Sequence, residues 1–181
     1  MKMNKLMLAV IMAMGVVSIG ANAADGGVGK IIFHGNILDA PCSIAPGANG
    51  SEQNVELGQV ASSQLSNQGT SSPKNFEIQL VNCEVGALGK TVSITFGGST
   101  AGNTGADANL LGITGTAKGA GVAVTDGSSN QIVLGKKTAL RKLIDGDNTL
   151  NFSAYLQGLA ASSAVVPGEY SSVADFTIDY E

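Results

Sequence analysis

An all-β domain is the prediction for this chain, and three observations carry it. Apolar and polar residues alternate with period two in one stretch after another, turn-forming residues separate those stretches, and 25 of the 181 residues are glycine. Successive side chains of a strand point to opposite faces, so such alternation marks a strand with one face buried. Helix signals are slight by comparison, one turn around residues 61–66 and another around 138–143.

Phe76, Ile78 and Leu80 alternate with Glu77 and Gln79, and Val92, Ile94 and Phe96 alternate with Thr91, Ser93 and Thr95. Val122 and Val124 follow Gly121, and Asp126-Gly127 marks a turn before a further strand over residues 131–134. Leu150, Phe152, Ala154 and Leu156 alternate with Asn151, Ser153 and Gln157. Ala174, Phe176, Ile178 and Tyr180 alternate with Asp175, Thr177 and Asp179 to the end of the chain. Residues 47–53, 62–72, 97–108 and 112–121 are rich in Gly, Ser, Asn and Thr and are expected to be loops. So many short strands in one domain of this length point to an immunoglobulin-like sandwich.

Residues 1–23 stand apart as a secretory signal. Lys2 and Lys5 supply the positive start, an apolar run follows, and Ala21-Asn22-Ala23 gives the small-x-small cleavage pattern. The apolar run is about 14 residues, short of the roughly 20 that a bilayer core requires. All five methionines (Met1, Met3, Met7, Met12 and Met14) fall within residues 1–23, and removal of that segment leaves eight basic against fourteen acidic groups. Export also makes the cysteines readable. Cys42 and Cys83 are the only two, and an oxidising compartment favours their pairing.

The same composition excludes most chemistry. A net charge of −4 offers nothing to neutralise a run of phosphates, and aromatics at 4% without tryptophan supply few stacking platforms. One histidine, His34, cannot build a triad or a histidine metal site, and two cysteines cannot make a four-cysteine zinc site. Gly26-Gly27-Val28-Gly29-Lys30 is followed by Ile31 rather than Ser or Thr, so it is no phosphate loop. Asp145 and Asp147 lie in Asp-Gly-Asp-Asn, a turn rather than an acid/base pair. No enzyme, cofactor, metal or nucleic-acid partner is expected.

The two ends are the informative features. The final alternation reaches the last residues without a polar tail, although free termini ordinarily fray. Near the other end, Asp25, Gly27, Gly29, Ile31 and Phe33 form a second alternating face, with small residues where a neighbouring strand must come close. These ends, together with the cysteines, resemble the chaperone–usher pilins, the subunits of P pili and type 1 fimbriae. The resemblance is dense at Gly29-Lys30-Ile31-Ile32-Phe33-His34-Gly35 and at Asp39-Ala40-Pro41-Cys42-Ser43-Ile44. It resumes at Val55-Glu56-Leu57-Gly58-Gln59-Val60, at Phe76-Glu77-Ile78-Gln79-Leu80-Val81-Asn82-Cys83, and at the closing Ala174 to Glu181 with its penultimate Tyr180.

The resemblance implies an incomplete immunoglobulin-like sandwich that lacks its final strand and is completed by a donor strand from another chain. It divides the chain into a signal peptide (1–23), an N-terminal donor-strand extension (24–35) and a pilin domain (36–181). Gly27, Gly29, Ile31 and Phe33 would belong to the donor strand. Gly168, Phe176, Ile178 and Tyr180 would form the acceptor groove and chaperone contact. The implied partners are neighbouring pilin subunits, a periplasmic chaperone and an outer-membrane usher, with export through the periplasm to a surface fimbria that supports cell adhesion. A major shaft subunit is the expectation. The alternatives are a minor adaptor subunit of the same pilus and a monomeric secreted binding domain.

Overall fold

The computed structural model describes residues 29–181, apart from 36, 48, 49, 88 and 161–163. The expected signal peptide and Gly27 lie outside the described residues. Residues 29–37 form one unit, in which no described residue belongs to a helix or strand, and residues 38–181 form the other, an all-β domain.

The strands of the domain are β1 (Ser43–Ile44), β2 (Lys74–Cys83), β3 (Thr91–Gly97), β4 (Leu111–Gly112), β5 (Thr114–Gly115), β6 (Ala120–Asp126), β7 (Arg141–Lys142), β8 (Gly146–Gly158), β9 (Tyr170–Ser171) and β10 (Asp175–Tyr180). They assemble into a five-stranded sheet ordered β1-β2-β8-β6-β4, a three-stranded sheet ordered β10-β3-β7, and a two-stranded ribbon of β5 and β9. Every pairing is antiparallel. One helical turn, α1 (Ser62–Leu65), falls where the sequence signalled it.

Alternation explains why the two larger sheets stack. β2 turns Ile78 and Leu80 inward, β8 turns Leu150, Phe152, Ala154 and Leu156 inward, and β3 answers with Val92, Ile94 and Phe96, all buried. Each fully buried aliphatic of this kind contributes roughly 1.5–3 kcal/mol. Phe76 and Phe152, cross-strand partners on β2 and β8, stack with ring centroids 5.7 Å apart. Phe96 of the opposite sheet meets Phe152 edge-on at 5.1 Å, which locks one sheet over the other. Beside this cluster the Arg141 guanidinium lies 5.6 Å from the Phe152 ring centre.

Cys42 and Cys83 are joined in a disulfide, which ties the residue before β1 to the last residue of β2. The β2–β8 register shifts between Leu80 and Cys83, where Asn82 takes a positive φ of 53° and its N–H donates to Asp147 Oδ1. That is a β-bulge, the ordinary way to bend a strand end and release its pairing.

Three expectations need correction. Residues 131–134 do not form a strand: Ile132 N–H donates to Val124 of β6, while Gly135 N–H donates to Phe96 of β3. The chain is crossing from one sheet to the other within four residues and can run along neither. The helical turn expected around 138–143 is instead β7, because Arg141 and Lys142 pair with Val92 and Thr91. The glycine-rich loops at 97–108 and 112–121 also contain order, namely a 3-10 turn at Gly105–Asn109 and the pairs β4–β6 and β5–β9.

Candidate functional site: an apolar groove with unpaired walls

The core is not closed on all sides. A groove of about 820 Å³ opens beside the sandwich, and its floor is core: Phe76, Ile78, Phe96, Leu111, Val122, Val124, Ala154 and Leu156. One wall is the segment 54–60, which presents the half-buried Leu57 and Val60. The other is the segment 165–176, with Val165, Tyr170 and Phe176.

The walls differ from the rest of the sandwich in their backbone. Residues 54–60 belong to no strand, and among the described residues their backbone groups form no hydrogen bond. Opposite, β10 is the edge strand of its sheet, paired with β3 along one side only, from Asp175↔Gly97 to Tyr180↔Val92. Unsatisfied peptide groups beside apolar surface are what an added strand satisfies, since it brings alternating donors and acceptors and a side-chain face together. Gly58 holds φ at +78°, a conformation that favours glycine, and so bends the first wall at its middle.

The expected acceptor residues fall in two groups. Phe176 and Gly168 line the groove, whereas Ile178 and Tyr180 continue the inward face of β10 onto the core outside it. Phe176 touches the floor through Phe96, with ring centroids 6.4 Å apart. Gly168 precedes β9 and has a steric reason to be glycine. A Cβ there would stand 2.4 Å from Thr116 Oγ1 and 2.6 Å from the Ala117 nitrogen. That close approach lets Thr116 and Ala117 N–H donate to the Glu169 carbonyl, and Glu169 N–H donate to Thr116 Oγ1. The groove's second wall is thereby pinned to the β5–β9 ribbon.

Burial raises the Tyr180 phenol above the usual tyrosine value, and burial followed by the nearby Glu56 carboxylate does the same for Tyr170. Phenols are neutral at physiological pH, and the raised values keep these two protonated further into the alkaline range. Of the expected donor residues, Gly29, Ile31 and Phe33 are described, and the apolar pair is strongly exposed, Ile31 at 78% and Phe33 at 88%. His34 is exposed as well. Leu57, Val60 and Val165 are wall residues beyond the expected acceptor set, although Leu57 and Val60 lie in a stretch that carries the resemblance. Their signal was present in the alternation Val55-Glu56-Leu57, but a run so short, ended by Gly58, carries no strand by itself.

Comparison with known proteins places this architecture. The family model described as "Fimbrial protein" matches residues 31–181. The Fimbria A protein of Serratia marcescens is 52% identical over 181 residues, covering 100% of both chains, and the Major MR/P fimbria protein of Proteus mirabilis (strain HI4320) is 45% identical over the same span. Among solved structures, the P pilus rod subunit PapA superposes with a TM-score of 0.67 at 29% identity, over 78% of this chain and 100% of that one. A chaperone–usher pilus solved for the basis of rod uncoiling gives a TM-score of 0.73 at 31% identity, over 86% of this chain and 97% of the other. A fimbrial subunit that polymerises with other pilins is consistent with the half-open sandwich. The chain belongs to the fimbrial protein family of chaperone–usher pilins, and it is a structural subunit of a fimbria, not an enzyme.

Proposed function

We propose that this subunit polymerises by strand exchange as the major shaft subunit of its fimbria. Residues 24–35 of one copy, about 40 Å when extended, fill the groove of the next. Ile31 and Phe33 of the incoming segment cover the apolar floor, and Gly27 or Gly29 passes where the floor is shallow. Backbone bonds to both walls supply affinity and the alternate side chains supply register. Before assembly a periplasmic chaperone lends its own strand to the same groove, and exchange takes place at an outer-membrane usher. The observation that carries this reading is the groove itself: core side chains form its floor, while residues 54–60 and the outer edge of β10 are without backbone partners among the described residues.

The test is removal of residues 24–33. The shortened subunit should still be recovered with its chaperone, since its groove is untouched, and should cap fibres without extending them. Fibres of normal length built from the shortened subunit alone would overturn the reading.

A further inference from the structure

The outward rim of the groove is acidic. Phe176, Ile178 and Tyr180 of β10 point inward, so Asp175, Thr177 and Asp179 point outward. On the other wall Leu57 packs on the core, while Glu56 beside it is exposed, as is Glu52 further along the same segment. The lysines that reach this rim are already engaged. Lys118 lines the groove and donates to the Gly115 carbonyl, and Lys137 reaches over to Glu181 at 3.2 Å and Asp179 at 3.7 Å. Asp175 and Glu56 form no ion pair among the described residues.

The segment that fills the groove has the opposite bias. With Ile31 and Phe33 facing in, Lys30, Ile32 and His34 face out, and the only carboxylate of residues 24–35 is Asp25, beyond Gly27. The spacing matches as well. Lys30 and His34 are four residues apart, about 13 Å along an extended strand, and so are Asp175 and Asp179. Whichever way the incoming strand runs along β10, both basic residues can stand opposite carboxylates at once, with Ile32 opposite Thr177. A slip of one residue would turn Ile31 and Phe33 out of the groove, so the apolar face forbids it. A slip of two keeps them facing in, and the outward row resists it: Ile32 then meets an aspartate, and one basic residue meets Thr177.

We propose that the polar face of the incoming strand sets its register, with Lys30 and His34 of one copy pairing with Asp175 and Asp179 of the next. Opposite charges directly across two strands attract, and like charges there repel. His34 is the only histidine of the chain, and an imidazole gains its charge between about pH 7.5 and 5.5, where carboxylates stay ionised. It would face Asp175, or Asp179 with Lys137 and Glu181 beside it, from β10, and Glu52 and Glu56 from the other wall. Carboxylates outnumber the single lysine in both placements, so the contact strengthens as the pH falls. The inference rests on the strand-exchange reading above and deepens it.

Assembly of the full-length mature subunit, seen as a ladder of multimers that survives detergent, should be timed from about pH 7.5 to 5.5. The unaltered protein should assemble about threefold faster at the acid end, and His34→Gln should flatten that dependence while leaving the rate at the neutral end nearly unchanged. Lys30→Glu with His34→Glu, or Asp175→Lys with Asp179→Lys, should each slow assembly about tenfold at low salt and less as salt is raised. All four changes in one chain should recover most of the rate, which misfolding caused by either pair would not allow. A full rate in either reversed pair, no recovery in the fourfold variant, or a pH dependence that survives His34→Gln would overturn the proposal. No ladder from the unaltered protein at any pH would instead overturn strand exchange itself, and this inference with it.

Discussion

The two long sides of this sandwich are built from the same kinds of residue and end in different states. On the closed side, β2, β8 and β6 pair continuously, from Lys74↔Ala154 to Leu80↔Asn148 and from Ala120↔Gly158 to Asp126↔Phe152. On the open side, residues 54–60 and the outer edge of β10 flank equally apolar core with no strand between them. Hydrophobic content thus does not distinguish the two; hydrogen-bond completion does. A domain of this kind can be folded over most of its core and still be chemically unfinished along one line, and the strand-exchange proposal puts polymerisation at that line.

The comparison predicts that damage to the closed side is felt by the isolated subunit. Replacing Cys42 and Cys83 with alanine should cost most, about 4 kcal/mol for a loop of this length, seen as a lower denaturant midpoint that reduction of the native protein reproduces. Leu80→Ala should come next. Leu80 is fully buried and away from the groove, so its truncation leaves a cavity worth about 3 kcal/mol in equilibrium unfolding. Gly168→Ala, in the one groove wall that is hydrogen-bonded to the domain, should follow at about 2 kcal/mol, since the new methyl meets backbone at Ala117 and must push residue 168 away from the segment after β5. If that variant unfolds like the native protein, the wall is not held there.

Leu57 separates the two sides most directly. It is half-buried on a wall without backbone partners, so Leu57→Ala should cost under about 1 kcal/mol in a subunit with an empty groove. In a subunit completed by a peptide of residues 24–35 the same change should cost measurably more, because the added strand covers the side chain. Equal costs in the two states would mean that residues 54–60 are not part of the acceptor.

Much of the closed side was legible in the sequence, and the reason is length. β2, β3, β8 and β10 run for six to thirteen residues, long enough for alternation to mark the strand, while β6 is buried along both faces and shows only Val122 and Val124 after a glycine. β4, β5, β7 and β9 are two residues each and leave none. Leu140 and Leu143 are spaced like a helical turn, yet one is exposed and the other buried because β7 pairs with β3, which local spacing does not encode. The stretch 131–134 has strand composition but is pulled between Val124 and Phe96 on different sheets. The candidate site was legible at its ends, through the alternation of β10 and the glycine at 168, and not along residues 54–60. What marks those residues as a candidate wall is the backbone partner they lack among the described residues, and a missing hydrogen bond has no residue type.

The smallest effect is also the one most specific to the open side. Burial raises the Tyr180 phenol above 10.0, so on raising the pH the unfolded chain ionises there first while the folded chain still holds its proton. With more protons bound in the folded state, stability is complete below about pH 10 and declines as pH climbs from there to the raised folded value. Tyr180→Phe removes this contribution, so the native protein should lose stability above pH 10 faster than the variant does. Adding the peptide of residues 24–35 deepens the burial of β10 and should widen that difference, carrying it to higher pH. Tyr170, raised by burial and by Glu56, is present in both proteins and cancels between them. A difference between native and Tyr180→Phe subunits above pH 10 that the peptide leaves unchanged would show that the end of β10 is as open in the completed subunit as in the free one.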